Sequence, residues 1–492
     1  MKRLYIFLIG LLFVATSCEK DFDEINDNPY AIKVMEVPNE VRTFLGNIVD
    51  NYWSNEIGIW VEYPQYFAHR YGTVKDFSYS TSHDKLWEWG FGQLRSLRDA
   101  QKWVTKGAKY EHEHMEAMLK VAEVIIFAKL ADTYGDIPFT QAGYGNDYLH
   151  PEYEKHIDIY DKMLVLLDEA DALFAVEMTK DKDNYDPIYK QDPERWMRLG
   201  NSLRFRFAMH MRMSHPAKGA ALMKKVMERD LINSTAYHLS RNQDPGFSWA
   251  WQSMTISKKL ADFYVAHNDP RINRWAKKNS DGEYVGFPSG YVTADEINYS
   301  AGFKEMGKHF KSKVFDYSEY CFLMAEAHLF GYGYEKNIEK ANEFYRKGII
   351  SDFRGIGFKS IPDPEDAPDW SIDKVDDPEN YGIEEYMAQD YASLDLTTTD
   401  VTANFEKIMT QKWVALMGNG VEAFVEMRRT GIPTIADRAG NDNYYPDDTN
   451  GKLPKRLAYP LTERIYNKKN YDKAAEVYNG NRLDVKLFWD VD

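Results

Sequence analysis

Residues 112–139 read HEHMEAMLKVAEVIIFAKLADTYGDIPF. Met115, Met118, Leu119, Ala122, Ile125, Ile126 and Leu130 recur at spacings of three and four, which predicts an amphipathic helix over His112–Thr133. Gly135-Asp136-Ile137-Pro138 ends it, because proline disfavours the helical conformation in the residue before it and has no N–H to donate. The same periodicity returns at Ile157, Tyr160, Leu164, Leu167 and Phe174. A third helix starts at Asp192-Pro193-Glu194, with Asp192 as cap and Pro193 at the first helical position. Leu203, Phe205, Phe207, Met209, Met211 and Met213 alternate like a strand, yet no turn signal separates them from Trp196 and Leu199, so the stretch reads as helix.

Further out, Tyr317–Phe330 and Asn337–Ile350 form a pair, with Ala325, Ala327, Gly331, Ala341 and Tyr345 where two helices cross closely. Ala-Glu-Ala, a short Gly turn and Ala-x-x-x-Tyr resemble a tetratricopeptide hairpin, without a strict 34-residue period. Phe405–Leu416 adds a later helix through Ile408, Met409, Lys412 and Leu416. Polar, Gly- and Pro-bearing stretches at 135–155, 177–193, 240–250, 277–307, 355–400 and 431–458 interrupt the helices, and loops of such length are usually functional or mobile. The fold class expected is all-α, with one α-helical domain over residues 35–492 built of degenerate helix hairpins and long decorating loops.

The 492 residues are 44% hydrophobic and 28% charged, ordinary globular values that exclude collagen, wholesale disorder and a polytopic membrane protein. A net charge of −16 repels phosphate and argues against nucleic acid. Cys18 and Cys321, the two cysteines, make no disulfide framework. Met1-Lys2-Arg3, an apolar run from Leu4 to Ala15 and Thr16-Ser17-Cys18 have the layout of a signal peptide, and the run is too short for a span of about 20 residues. The Cys at the boundary resembles a bacterial lipoprotein signal, although Ala15 replaces the usual Leu. The resemblance implies cleavage after residue 17 and lipidation of Cys18. The acidic stretch 18–34 then reads as a solvated tether and resembles the surface-export signal of Bacteroidota lipoproteins.

Further motifs occur in a recognisable order. Leu130-Ala-Asp-Thr-Tyr-Gly-Asp-Ile-Pro-Phe139, Trp196 with Asn201-Ser202-Leu203-Arg204, and Asn268-Asp269-Pro270-Arg271 followed by Gly286 and Gly290 resemble elements of the SusD/RagB family. So do Tyr317–Ala327, Gln411-Lys412-Trp413 with Gly420 and Glu422, Arg428-Arg429-Thr430-Gly431-x-Pro433, Pro454-Lys455-Arg456-Leu457-x-Tyr459-Pro460, Glu463, Asn467 and Asn470-Tyr471. The resemblance spans roughly residues 40–475. It implies a helical fold on four tetratricopeptide-like units and a lipid-anchored, outward-facing outer-membrane protein. It also implies nutrient binding and delivery to a SusC-like TonB-dependent barrel. Oligosaccharide is the expected ligand. Peptide capture, as in RagB-like members, is the alternative within the family, and a surface glycoside hydrolase is the alternative outside it.

Sugar recognition needs flat aromatic faces and side-chain hydrogen-bonding groups. Tyr, Phe and Trp make up 15% of the chain, most of it required for packing. Loop aromatics form three clusters: Tyr63, Tyr66, Tyr71, Phe77 and Tyr79 with His69 and Arg70; Phe247, Trp249 and Trp251; and Tyr284, Tyr291 and Tyr299. Tyr66, Tyr71, Tyr79, Trp249, Trp251, Tyr284 and Tyr291 are the candidate ligand contacts. Trp87 and Phe91, at helical spacing, are assigned to the core.

No catalytic residue is assigned: Gly-x-Ser-x-Gly, His-Glu-x-x-His and a phosphate-binding Gly-rich loop are all missing. His112 and His114 point to different helix faces, so no metal site is assigned to them, and no cofactor is expected. Asp181, Asp183 and Asn184, and Asp442 with Asp447 and Asp448, offer oxygen ligands for a structural Ca²⁺, but the Gly and distal Glu of a calcium loop are missing and solvated charge is the favoured reading. Arg428-Arg429-Thr430 reads as structural ion pairing, which for buried arginines requires full partnering.

Overall fold

The computed structural model describes residues 37–54, 59–69, 84–177, 184–233, 239–242, 254–289, 298–300, 311–356, 383–435, 449 and 452–491. Cys18, both Ca²⁺ candidates apart from Asn184, and Tyr71, Tyr79, Trp249, Trp251 and Tyr291 lie outside them. In chain order the elements are α1 (Val37–Ser54), α2 (Ile59–Glu62), β1 (Phe67–His69), α3 (Asp84–Val104), α4 (Glu113–Tyr134), β2 (Ile137–Pro138), β3 (Tyr153–Glu154), α5 (His156–Phe174), α6 (Pro193–Ser214) and α7 (Pro216–Met227). There follow β4 (Leu239–Asn242), β5 (Met254–Ile256), α8 (Lys258–Ala266), α9 (Ile272–Trp275), β6 (Lys311–Phe315), α10 (Tyr317–Phe330), α11 (Ile338–Gly355) and α12 (Ile383–Met387). The chain closes with α13 (Thr402–Ala415), α14 (Gly420–Thr430), α15 (Leu461–Tyr466) and α16 (Lys468–Val477). The strands make three antiparallel two-stranded ribbons, β1–β5, β2–β3 and β4–β6.

Successive helices pack as pairs, α4 on α5, α6 on α7 and α10 on α11. Their starts follow the sequence. The Asp192 carboxylate accepts from the N–H groups of Glu194 and Arg195 with Pro193 at the first turn, and His112, Asp316 and Asn337 cap α4, α10 and α11 in the same way. The alternating Leu203–Met213 stretch lies wholly within α6.

Helix α4 departs from the amphipathic expectation. Every residue from Ala117 to Tyr134 except Lys120 is buried, because α1, α3, α5, α6 and α14 all pack on it. Its charged residues survive by pairing: Glu123 meets Arg98 at 2.6 Å, and the Lys129 ammonium sits over the Trp89 ring. The helix ends at Tyr134, one residue past the expected Thr133, with Gly135 as its cap. Gly135 takes φ 86°, and a Cβ there would strike Tyr478 and Leu487.

Two apolar clusters share α10 and α14. Tyr317, Cys321, Met324 and Ala327 face the cluster formed mainly by α1 and α3–α7, whereas Phe322, Ala325 and Leu329 face the one around β1, β5, α8, α9 and α11–α13. Val421, Phe424 and Val425 of α14 belong to the first, and Ala423 and Met427 to the second. α10 and α11 approach closely at Gly348, where a Cβ would fall 2.7 Å from Phe322. Gly331, expected at that crossing, instead caps α10 in the left-handed conformation. Cys321 is fully buried, and burial pushes its thiol above the ordinary range. Trp87 is buried as expected, its ring 4.5 Å from that of Phe91.

Candidate functional site

Described stretches that adjoin the three aromatic clusters in sequence meet at one short ribbon. β1 and β5 pair antiparallel, with Phe67 opposite Ile256 and His69 opposite Met254. Residues 70–83 therefore continue from the end of the ribbon at which residues 243–253 enter. The third stretch joins the same ribbon. Phe287 N–H donates to Ile256 O (2.8 Å) and Lys258 N–H donates to Phe287 O (2.7 Å). Gly286 makes this possible, since a Cβ there would fall 2.6 Å from Lys258 Cα. Ser300 N–H donates to Val285 O (2.8 Å), so the chain on both sides of residues 290–297 is anchored beside the ribbon. The turn into β1 is held by Gln65 at φ 56°, whose carbonyl accepts from the Ser257 hydroxyl.

Tyr66 is not a ligand platform. It is 0% exposed, its ring lies 5.3 Å from that of Trp413 with the planes 24° apart, and its hydroxyl donates to Trp413 O. Trp413 Nε1 donates in turn to Pro64 O (2.8 Å). This pair pins the Tyr63–Phe67 segment onto α13, so Tyr66 is part of the floor beneath the ribbon, and Tyr63 is likewise buried. Tyr284 remains at the surface. Its hydroxyl donates to Asn273 Oδ1 (2.5 Å), the Lys278 ammonium lies 5.5 Å from its ring centre, and partial burial raises its pKa. Tyr299 packs edge-on against Phe287 at 5.2 Å.

Other aromatics at the surface escaped the sequence reading. Tyr148 and Tyr466 are 47% and 72% exposed, and both line a cleft between residues 141–152 and α15–α16. Tyr466 occupies a short helix whose neighbours Leu461 and Ile465 are exposed too, and that run of apolar residues without a buried face was the available signal.

The centre of the molecule holds an ionic cluster. Arg206 donates from Nε and Nη2 to the two Glu319 oxygens (both 2.7 Å), and its Nε is 3.4 Å from Glu422. His210 lies between the Tyr160 hydroxyl (2.9 Å) and Glu422 Oε1 (3.0 Å). Arg429 bridges Glu326 and Glu426, and Lys412 is 3.1 Å from Glu426. His210, Glu422 and Glu426 are close enough together to suggest a metal site. Their carboxylates are already neutralised by Arg206, Arg429 and Lys412, so a divalent cation would meet three resident cations. This is a structural network, as expected for Arg429. Arg428 differs from expectation: it donates to the carbonyls of Phe424 (2.8 Å), Lys455 (2.5 Å) and Asp132 (3.1 Å) instead of to carboxylates.

Residues 40–460 match the SusD-like family described as "Starch-binding associating with outer membrane", and the chain belongs to that family. No curated protein matches the chain. Solved structures similar to it include a chitin-binding protein (22% identity, TM-score 0.74, 93% of this chain and 100% of that one). A chitin-binding SusD homologue from Flavobacterium johnsoniae shares 20% identity (TM-score 0.75, 93% and 99% covered). A SusD homologue from Bacteroides vulgatus shares 19% (TM-score 0.74, 92% and 97% covered). Among the described residues no helix is long and apolar enough to cross a membrane.

Proposed function

We propose that this chain is a non-catalytic surface lipoprotein of the outer membrane. It captures oligosaccharide and passes it to a SusC-like TonB-dependent barrel, held to the membrane by acyl chains on Cys18. The observation that carries the reading is the convergence on the β1–β5 ribbon of the described stretches 63–69, 254–258, 284–289 and Ser300, which adjoin the three aromatic clusters in sequence, in a chain of a family described as starch-binding. In this reading Tyr284, together with Tyr71, Tyr79, Trp249, Trp251 and Tyr291, supplies the faces on which sugar rings stack. A ligand that must be handed on suits a dissociation constant between roughly micromolar and millimolar.

The test is calorimetry of purified residues 20–492 against neutral oligosaccharides and peptides. Sugar binding that is lost in Trp249→Ala/Trp251→Ala, with the melting temperature unchanged, is the expected result. Binding of peptides alone would replace the ligand class. Release of reducing sugar, abolished by one carboxylate substitution, would make the protein a hydrolase. Membrane association unchanged in Cys18→Ala would remove the lipid anchor.

A further inference from the structure

A concave surface is lined by none of the ribbon residues. Its walls are residues 141–152 on one side and α15–α16 on the other, enclosing about 710 Å³. That is the size of clefts that hold small ligands, about 300–1,000 Å³. The walls are fastened to each other by side-chain hydrogen bonds. Asn467 Nδ2 donates to Pro151 O (2.8 Å), Asn470 Nδ2 donates to His150 O (2.9 Å), and the Tyr153 hydroxyl donates to Glu463 Oε2 (2.8 Å). Gln141 Oε1 accepts from Glu152 N–H (2.9 Å), which closes the loop on itself. The cleft is therefore preformed, and ligand entry orders little chain.

The lining divides into two kinds of surface. Tyr466 is 72% exposed, and its ring meets no other ring and its hydroxyl no hydrogen-bond partner among the described residues. Tyr148 is half-exposed and braced edge-on by Tyr144 at 6.0 Å, which itself lies under the Arg98 guanidinium at 4.8 Å. The Tyr148 and Tyr466 rings do not touch, so both faces stay free for a ligand. Around them stand Asp147 and Glu152 against Lys468 and Lys469, a balanced set that selects neither an anion nor a cation. Two free aromatic faces rimmed by polar groups of zero net charge match a neutral pyranose chain, whose C–H faces stack while its hydroxyls hydrogen-bond.

We propose that this cleft is a second carbohydrate subsite, taking a short segment of neutral oligosaccharide on Tyr148 and Tyr466. It is separate from the ribbon and involves none of the residues assigned there.

Hydrogen exchange with mass spectrometry tests it on residues 20–492, using the neutral hexasaccharides of glucose, N-acetylglucosamine, mannose and xylose as probes. At least one probe protects peptides covering 144–152 and 461–470. Tyr148→Ala/Tyr466→Ala weakens that protection about tenfold in ligand concentration, as loss of stacking predicts. Tyr466→Phe, which keeps the face, retains it. No protection of the cleft by any probe up to about 10 mM, a millimolar-class affinity, overturns the proposal. So does protection of these peptides on raising protein concentration without sugar, which would make the cleft a contact between copies. Protection confined to residues 63–79, 247–251 and 284–299 removes the cleft and leaves the ribbon reading intact, and protection confined to the cleft does the reverse.

Discussion

Arg429→Met gives the sharpest measure of the ionic cluster. Arg429 is fully buried on α14. It donates to Glu326 Oε1 and Oε2 (2.9 and 2.8 Å) and to Glu426 Oε1 and Oε2 (3.0 and 2.6 Å). Methionine fills similar space and donates nothing, so two buried carboxylates lose their shared cation. Glu326 keeps Arg212 (3.1 Å) and Glu426 keeps Lys412 (3.1 Å). Breaking a buried pair from one side costs about 3–5 kcal/mol. Unfolding entropy of about 2.1 cal/mol/K per residue makes 1 kcal/mol worth roughly 1 °C in a chain of this length, so the melting temperature should fall by about 3–5 °C.

The pH dependence is the stricter test. Burial alone raises both carboxyls, but the Arg429 charge, joined by Arg212 at Glu326 and by Lys412 at Glu426, outweighs it and holds both below the ordinary range. Their contribution in the parent is present above the unfolded value of about 4.3 and is lost as pH falls below it. Without Arg429, burial dominates and the folded-state pKa values move above the unfolded ones. Stability contributed by the protonated form is then full below pH 4.3 and lost as pH rises. Thermal unfolding of parent and variant from pH 5 to 8 should show a deficit that widens with pH. A deficit equal at pH 5 and pH 8, or below about 1 kcal/mol, would refute the assignment of charge in this cluster. Glu326→Gln/Glu426→Gln in the Arg429→Met background should recover much of the loss, because it removes the stranded charges.

Glu319 titrates in the opposite sense. Burial, reinforced by the Glu422 charge, pushes it up to about 7 against the pull of Arg206. Its stabilising contribution is full below the unfolded value of about 4.3 and lost as pH rises through 7, so the parent should lose about 1 kcal/mol between pH 6 and 8 and Glu319→Gln should not; denaturant titration at the two pH values decides it. Gly286→Ala forces a methyl against the Lys258 backbone and should separate the 284–289 stretch from the ribbon. Sugar affinity falls by at least about tenfold in calorimetry while the circular dichroism of the helices is unchanged; unaltered affinity would detach this stretch from the site. The Trp249→Ala/Trp251→Ala and Tyr148→Ala/Tyr466→Ala variants distinguish the ribbon from the cleft as described above.

The helices were legible because local chemistry decides them. Asp192-Pro193 is a start signal whatever surrounds it, and the lack of a turn between Trp196 and Leu203 outweighed the strand-like alternation that follows. Burial was less legible, because it depends on distant partners. Tyr66 sits among Tyr, Pro and Gln and reads as a loop aromatic, but Trp413, 347 positions on, buries it. Helix α4 has the spacing of a one-sided helix, and only the arrival of α5 and of the C-terminal segment carrying Trp489 explains why Asp132 is buried against His156, Tyr160 and Trp489. Tyr466 lies inside the C-terminal motif run whose Glu463, Asn467 and Asn470 fasten the cleft walls. Spacing alone does not tell the tying residues from the one that projects.

Residues of three of these motifs share one physical task, which also limits what they reveal. The last carbonyls of a helix need donors from outside it, and cations suit that end of the helix dipole. At the end of α4, Arg428 donates to Asp132 O (3.1 Å), Leu457 N–H to Thr133 O (2.9 Å), and Arg456 to Tyr134 O through Nε and Nη2 (3.1 and 3.0 Å). Tyr459 then donates to Asp136 O (2.7 Å) and Tyr478 to Asp136 Oδ1 (2.9 Å). Tyr-Gly-Asp-x-Pro, Arg-Arg-Thr-Gly and Arg-Leu-x-Tyr-Pro are thus parts of one device that closes the C-terminal end of the central helix with segments some 300 residues later in the chain. A few such side chains fix where α4 ends and what packs there. None of them reaches the β1–β5 ribbon or projects a free ring into the cleft. These three motifs therefore bind the chain to itself, and the proposed ligand's identity has to be sought in the aromatics outside them.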